Sequence, residues 1–291
     1  MSLFNFLKKK SSKNDEVYRG PSKEELEAQR KAQAEAQRKA RESQRKIQAA
    51  LNIRNFQKDE AGLYPHEILL LSYYEKYAAG KTIAKFWEYE YAVDDVPALM
   101  RSLESRGFAD GAKLTDAGRE EIAKNEYVMY MHKNKQTDIS MARMSILVNQ
   151  NPGMPFHDIL WGEYNRLSME YAENNRWGYY RNVKYTMYKF LMDEKRYDSA
   201  FGFLSEVFFY DMNGSASPFV APALVEDMRA IERKLDYTDE KIIEILQKRF
   251  RGMYAPHRNF TNNEVICVIA AYATGNDGMA VKILAKKNAV R

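Results

Sequence analysis

Residues 177–213, WGYYRNVKYTMYKFLMDEKRYDSAFGFLSEVFFYDMN, decide the fold class of this chain. Apolar residues recur every three to four positions in 177–193 and again in 198–213, which predicts two amphipathic helices. Only the connection Glu194 to Tyr197 separates them. Because so short a connection forces neighbouring helices to lie antiparallel, the segment is predicted to form a helical hairpin.

The same period continues on both sides of this hairpin. It predicts further helices at 156–174, 219–235, 239–250 and 262–273. A loose match to the tetratricopeptide pattern accompanies it, at Leu191, Tyr197, Ala200 and Leu204. We therefore expect a mainly α-helical protein whose residues 136–291 form a repeat-like domain, a stack of helical hairpins with tetratricopeptide-like packing.

A second compact pattern precedes this domain. Helices are predicted at 65–78 and 83–91, and a third begins at Asp95-Val96-Pro97, where proline suits the first helical turn. A tight loop follows, and another helix starts at Leu114-Thr115-Asp116. Three helices, a short loop and a further helix are the outline of a winged helix, so residues 61–135 are predicted to be a winged-helix-like module.

A long helix is predicted before that module, within residues 21–57. Ser22 and Glu25 have the spacing of a capping box, and a run rich in Ala, Gln, Arg, Lys and Glu continues to Leu51. Its apolar positions are compatible with a heptad stripe, mostly of alanine: Leu26, Ala36, Ala40, Ile47 and Leu51. Such a helix is either exposed to solvent or self-associates through residues 22–51.

Positive charge is concentrated at the start of the chain. Residues 1–60 hold 15 of the 45 Lys and Arg but 9 of the 40 Asp and Glu, and the rest of the chain is close to neutral. A body that grips nucleic acid is normally basic itself. The positive charge of this chain thus belongs to its first segments and not to its body. The first 20 residues are predicted to be a disordered basic tail, and the long helix is predicted to be mostly solvated, with i,i+4 ion pairs between its charged residues.

Nucleic-acid binding by the basic arm and the winged-helix-like module stays open as the alternative function. Its candidate residues are Arg30, Lys31, Arg38, Lys39, Arg45, Lys81, Lys85, Arg101, Arg106 and Lys113. Asp94 and Asp95 count against it, because they lie where a recognition helix would meet phosphates. The module is thus expected to serve as a protein-docking or structural unit more readily than as a DNA reader.

Aromatic residues of the C-terminal domain are the candidates for contact with a protein partner. Trp161, Tyr164, Trp177 and Tyr180 are the positions proposed as anchors, although most of the aromatic side chains there are expected to pack in the core.

No residue pattern points to catalysis, a metal or another cofactor, and the single cysteine, Cys267, excludes an intramolecular disulfide. No apolar run reaches the length of a membrane span, so stable membrane association is not expected. We expect the protein to be cytoplasmic.

Several phrases resemble a family of uncharacterised phage and prophage proteins. They are Gly62-Leu63-Tyr64-Pro65-His66-Glu67-Ile68-Leu69, Phe86-Trp87, Leu103-Glu104-Ser105-Arg106-Gly107-Phe108, Leu114-Thr115-Asp116-Ala117-Gly118 and Asn125-Glu126-Tyr127-Val128-Met129-Tyr130-Met131-His132. The relatives often carry a SAP domain, a small DNA-binding module, between the third and fourth of these phrases. This chain has only Ala109 to Lys113 there, so the part that implies DNA binding is missing. The resemblance implies a phage or mobile-element origin, and we expect a non-enzymatic accessory protein that docks a protein partner through its helical stack and long helix.

Overall fold

The computed structural model describes residues 23–81, 86–134 and 138–288. Within these ranges the chain is almost entirely helical, which confirms the predicted mainly α-helical class. The predicted tail at 1–20 lies outside the described residues. Two short strands, β1 (Ala109–Asp110) and β2 (Lys113–Leu114), pair as a hairpin at the predicted tight loop, and Gly111 supplies a positive φ of 56° at its turn.

The helices follow one another with short connections. Their bounds are α1 Lys23–Ile53, α2 Pro65–Ala78, α3 Phe86–Glu90, α4 Val96–Ser105, α5 Asp116–Lys124, α6 Glu126–Asn134, α7 Met141–Gln150, α8 Phe156–Glu173, α9 Trp177–Asp193, α10 Tyr197–Asn213, α11 Pro222–Leu235, α12 Asp239–Phe250, α13 Asn262–Ala273 and α14 Asp277–Asn288. Local capping explains several of the starts. Thr238 caps α12 by accepting from Lys241 N, and Thr261 with Glu264 forms a complete capping box at α13.

Two compact units divide the described chain. The first contains the residues up to Asn55 together with Tyr74–Lys113, and the second contains Phe56–Tyr73 and everything from Leu114 onward. Two of the three points of division, after Tyr73 and after Lys113, fall inside residues 61–135. The helices and the hairpin of the predicted winged-helix-like module occur in the expected order, but its extent as a single domain stays a prediction.

The first unit buries the end of the long helix. Ala49 of α1 is 1% exposed, and α1 packs against α3, where Trp87 is also buried. Lys46 adds ion pairs of 3.0 Å to Glu88 and 3.5 Å to Asp94. Within residues 21–57 the sequence predicts a helix that is either solvent-exposed or self-associating. The side chains from Leu26 to Arg41 are exposed, whereas Ala49 is buried where the end of α1 packs against α3.

The second unit is a stack of antiparallel helices. Helix α10 lies at its centre, where it contacts α9, α11, α12 and α13, and nearly every one of its side chains after Ser199 is buried or half-buried. Phe201, Leu204 and Phe208 of α10 are completely buried. The predicted stack of helical hairpins is thus confirmed, with a central helix that is covered on nearly all sides.

One turn geometry closes three hairpins of this stack. After α8, Arg176 N donates to Tyr171 O at 2.8 Å, and after α9, Arg196 N donates to Leu191 O at 2.9 Å. Asn276 N and Ala271 O repeat the contact at 2.7 Å after α13. These six-residue closures are Schellman motifs, which need a residue at positive φ. Asn175, Lys195 and Gly275 supply it, with φ of 54°, 58° and 81°.

Candidate functional site

Two neighbouring helices of the second unit carry matching stripes of side chains. On α9 the stripe is Trp177, Tyr180 and Lys184, and on α10 it is Phe203, Glu206 and Tyr210. Both follow the i, i+3, i+7 spacing that keeps residues on one face of a helix. Since the hairpin is antiparallel, the beginning of one stripe lies beside the end of the other.

Ring contacts join these stripes to adjacent elements. Trp177 stacks on Tyr210 with centroids 5.7 Å apart, and Tyr180 meets the same ring edge-on at 5.0 Å. Trp161 of α8 packs against Phe203 at 5.6 Å, and Tyr254, after α12, lies 5.4 Å from Trp177. We call this surface the aromatic–cationic strip: Trp161, Trp177, Tyr180, Lys184, Phe203, Tyr210, Arg249 and Tyr254.

Two cations share one carboxylate in the middle of the strip. Glu206 lies 3.3 Å from Lys184 Nζ and 2.6 Å from Arg249 Nη2. Lys184 Nζ is 4.9 Å from the centre of the Phe203 ring, and the Arg249 guanidinium is 5.0 Å from it. These are cation–π distances, so both positive charges contact the Phe203 ring.

Gly202 makes room for one of those cations. A Cβ atom built there would lie 2.7 Å from Arg249 Nη1, so a larger residue would displace the guanidinium. Burial first, and the nearby Tyr180 and Glu206 next, raise the pKa of the Tyr210 phenol. Its hydroxyl donates to Tyr254 O at 3.2 Å, which fixes the segment after α12 against α10.

A cleft of about 550 Å³ lies at the Trp177 end of the strip. Arg181 and Asp211 form its wall with two hydrogen bonds of 2.7 Å, a bidentate contact between α9 and α10. Tyr179 and Phe219 also line it, and they are 56% and 70% exposed. Exposed rings beside a rigid ion pair are suited to contact with an apolar side chain of a partner, and they offer no nucleophile with a neighbouring base.

The structure brings together three of the four predicted partner anchors. Trp161, Trp177 and Tyr180 are half-buried within the strip, so part of each residue is exposed to solvent. Tyr164 is completely buried, which contradicts its prediction as an anchor, because no part of it reaches the surface of the unit. Sequence reasoning missed Lys184, Phe203 and Arg249, although the repeated i, i+3, i+7 spacing was visible on α9 and α10.

The residues of the nucleic-acid alternative lie in the first unit. Arg30, Lys31, Arg38, Lys39 and Arg45 are exposed along α1, where Glu27 pairs with Lys31 at 3.1 Å and Glu35 with Lys39 at 3.0 Å. Lys81, Arg101, Arg106 and Lys113 are exposed as well, and Lys85 lies outside the described residues.

The acidic start of α4 is as the sequence predicts. Asp95 Oδ1 accepts from Ala98 N at 2.8 Å and so caps the helix, which places its carboxylate where a phosphate would have to approach.

Metal sites and membrane-spanning helices were also considered among the described residues. Among the described residues, no three His, Cys, Asp or Glu side chains are grouped so that they could hold a metal ion. Of the helices described, none combines the length and apolar character needed to cross a membrane. Comparison with protein-family models, with curated proteins and with solved structures found no match for this chain.

Proposed function

We propose that this chain is a non-enzymatic accessory protein, of the phage or prophage origin that its sequence resemblance implies, and that it docks a protein partner through the aromatic–cationic strip. One observation carries the proposal: Trp161, Trp177 and Tyr180 are all partly exposed within the aromatic–cationic strip. Half-buried tryptophan and tyrosine are the residue types that most often dominate binding energy at protein interfaces. Helix α1 is a candidate for a second contact.

The charges of the strip indicate the chemistry of that partner. Lys184 and Arg249 share Glu206, and the exposed Arg196 adds a guanidinium 5.9 Å from the centre of the Trp161 ring. Two cations against one carboxylate within the strip, with Arg196 beside it, leave this surface positive. We therefore infer a partner segment that combines acidic residues with one or two apolar anchors, because complementary charge guides both encounter and register.

Replacement of Trp177 by alanine is expected to abolish most of this binding. Peptides selected from a displayed random library against the full chain should be enriched in Asp, Glu and aromatic residues. Their affinity for the Trp177→Ala variant should fall by about 30-fold or more, as for a central interface residue worth about 2 kcal/mol. Titration by fluorescence anisotropy, with far-ultraviolet circular dichroism to check folding, measures this.

A matched control is available on α8. Met169 is 64% exposed and is not part of the strip, so Met169→Ala should bind the selected peptides as the parent chain does. Peptides without an acidic or aromatic bias would contradict the proposal. So would equal affinities for the parent chain and the Trp177→Ala variant.

Nucleic-acid binding is the second candidate, favoured by the exposure of Arg30, Arg38 and Arg45 along α1. It predicts a shift of random-sequence DNA in electrophoresis that weakens steeply with salt and is lost when all three arginines are changed to glutamine. We expect no shift at physiological salt, because interleaved glutamates and Asp95 oppose phosphate. A shift that persists at that salt and requires these arginines would promote this candidate over protein docking.

A further inference from the structure

Helix α1 carries an apolar stripe that the other described residues leave exposed. Every side chain from Leu26 to Arg41 is exposed. Leu26, Ile47 and Leu51 are 43%, 63% and 47% exposed, and Ala36 and Ala40 lie between them on the same face of the helix. The buried Ala49 faces the other way, toward α3, so the stripe and the contact with the first unit do not compete. Single helices in water are marginally stable, and a second helix on the stripe would stabilise this one.

The two halves of α1 differ in charge. Its first 15 residues, 23–37, contain four glutamates and three basic residues, and its last 15, 39–53, contain one glutamate and four basic residues. The glutamates of the first half concentrate at its beginning, where they also suit the helix dipole. The helix therefore has an acidic beginning and a basic second half.

We propose that α1 pairs with α1 of a second copy of this chain in antiparallel orientation. This arrangement places the acidic beginning of each helix beside the basic half of the other, and brings Leu26 toward Ile47 of the second copy. A parallel pair would instead place the two basic halves side by side. Alanine at positions 36 and 40 lets the helix axes approach closely where they cross.

The pairing is independent of docking at the aromatic–cationic strip. It uses residues of the first unit only, and peptide binding at the strip could fail while the dimer persists. Opposite charges beside an apolar seam are the feature that selects orientation in paired helices, so reversing the charges should control the pairing.

A charge exchange tests the orientation. One variant, Glu24→Lys with Glu27→Lys, makes the beginning of α1 basic, and the other, Arg41→Glu with Arg45→Glu, makes its second half acidic. Each variant alone should self-associate at least about tenfold more weakly than the parent chain, because like charges then face each other. An equimolar mixture should regain the parent affinity, since its mixed pairs restore opposite charges at both ends. Sedimentation velocity of the full chain measures all three.

A control matched to the arginine variant carries the same change in net charge elsewhere in the chain. Lys234→Glu with Lys248→Glu alters two exposed lysines of the second unit and should leave the dimer unchanged. Circular dichroism excludes loss of helix as the cause of any weakening. A parent chain that stays monomeric at about 100 µM would overturn the proposal, as would a mixture that associates no better than its components; the latter result would point to a parallel pair or to a different partner.

Discussion

Removal of residues 1–57 should unfold the first unit, whereas removal of residues 1–42 should leave it folded. The longer deletion takes away Ala49, which is buried where α1 packs against α3, and Lys46, which pairs with Glu88. It also removes Phe56 and Gln57 from the second unit, where Phe56 is buried and the Gln57 N–H donates to Ser145 Oγ at 3.2 Å. The first unit would lose the helix packed against α3, and because a small unit is only marginally stable this loss should be enough to unfold it.

Thermal unfolding and proteolysis of the two truncated proteins measure the difference. The chain that begins at Ser43 keeps the buried end of α1 and should melt close to the full-length temperature. The chain that begins at Lys58 should lose a cooperative transition, and the region around Trp87 should become sensitive to protease. Two truncated proteins of equal stability would show that the end of α1 contributes nothing to the core.

Replacement of Tyr164 by alanine is the second large effect that we expect, a loss of about 3–5 kcal/mol in the free energy of unfolding of the second unit. The ring is completely buried in α8 and lies 6.3 Å from the Phe190 ring of α9. The deletion would leave a cavity that rigid neighbouring helices cannot fill. Chemical denaturation followed by circular dichroism gives the change in midpoint.

Phenylalanine at the same position is the control. The Tyr164 hydroxyl is buried and has no hydrogen-bond partner among the described protein groups, so Tyr164→Phe keeps the packing and should change stability by less than about 1 kcal/mol. A Tyr164→Phe variant that is as unstable as Tyr164→Ala would show that the hydroxyl has a partner that matters. Peptide binding that is lost in Tyr164→Phe would return this residue to the interface.

Local signals in the sequence were sufficient for most of the helices and for many of their ends, but α7 and α14 were not among the predicted helices. The capping residues Thr238 and Thr261 act as their spacing predicts, and the connection Glu194 to Tyr197 does close an antiparallel hairpin. Such features depend on a few neighbouring residues, so they can be read without the tertiary fold. The packing of α1 on α3 depends on residues about 40 positions apart. No sequence pattern within either helix predicts that contact.

The site was predictable in part, for a related reason. Trp161 and Tyr164 are three positions apart on α8, so they differ by only about 60° around the helix axis. Periodicity alone cannot tell the rim of a buried face from its centre. Arg249 reaches the strip from α12 because Gly202 of α10 leaves space for it, and a match of this kind between distant residues becomes visible only in the folded chain.

The repeated turns of the second unit bear on how costly binding would be. Each Schellman motif is formed by local hydrogen bonds, so each of the three hairpins is closed independently of the others. The ends of the stack can therefore unfold locally while its middle stays folded. Most of the strip lies on α9 and α10, and α10 touches four other helices. The residues of the strip are therefore already ordered before binding, and a partner would restrict them little further. An incoming segment would lose mainly its own conformational entropy.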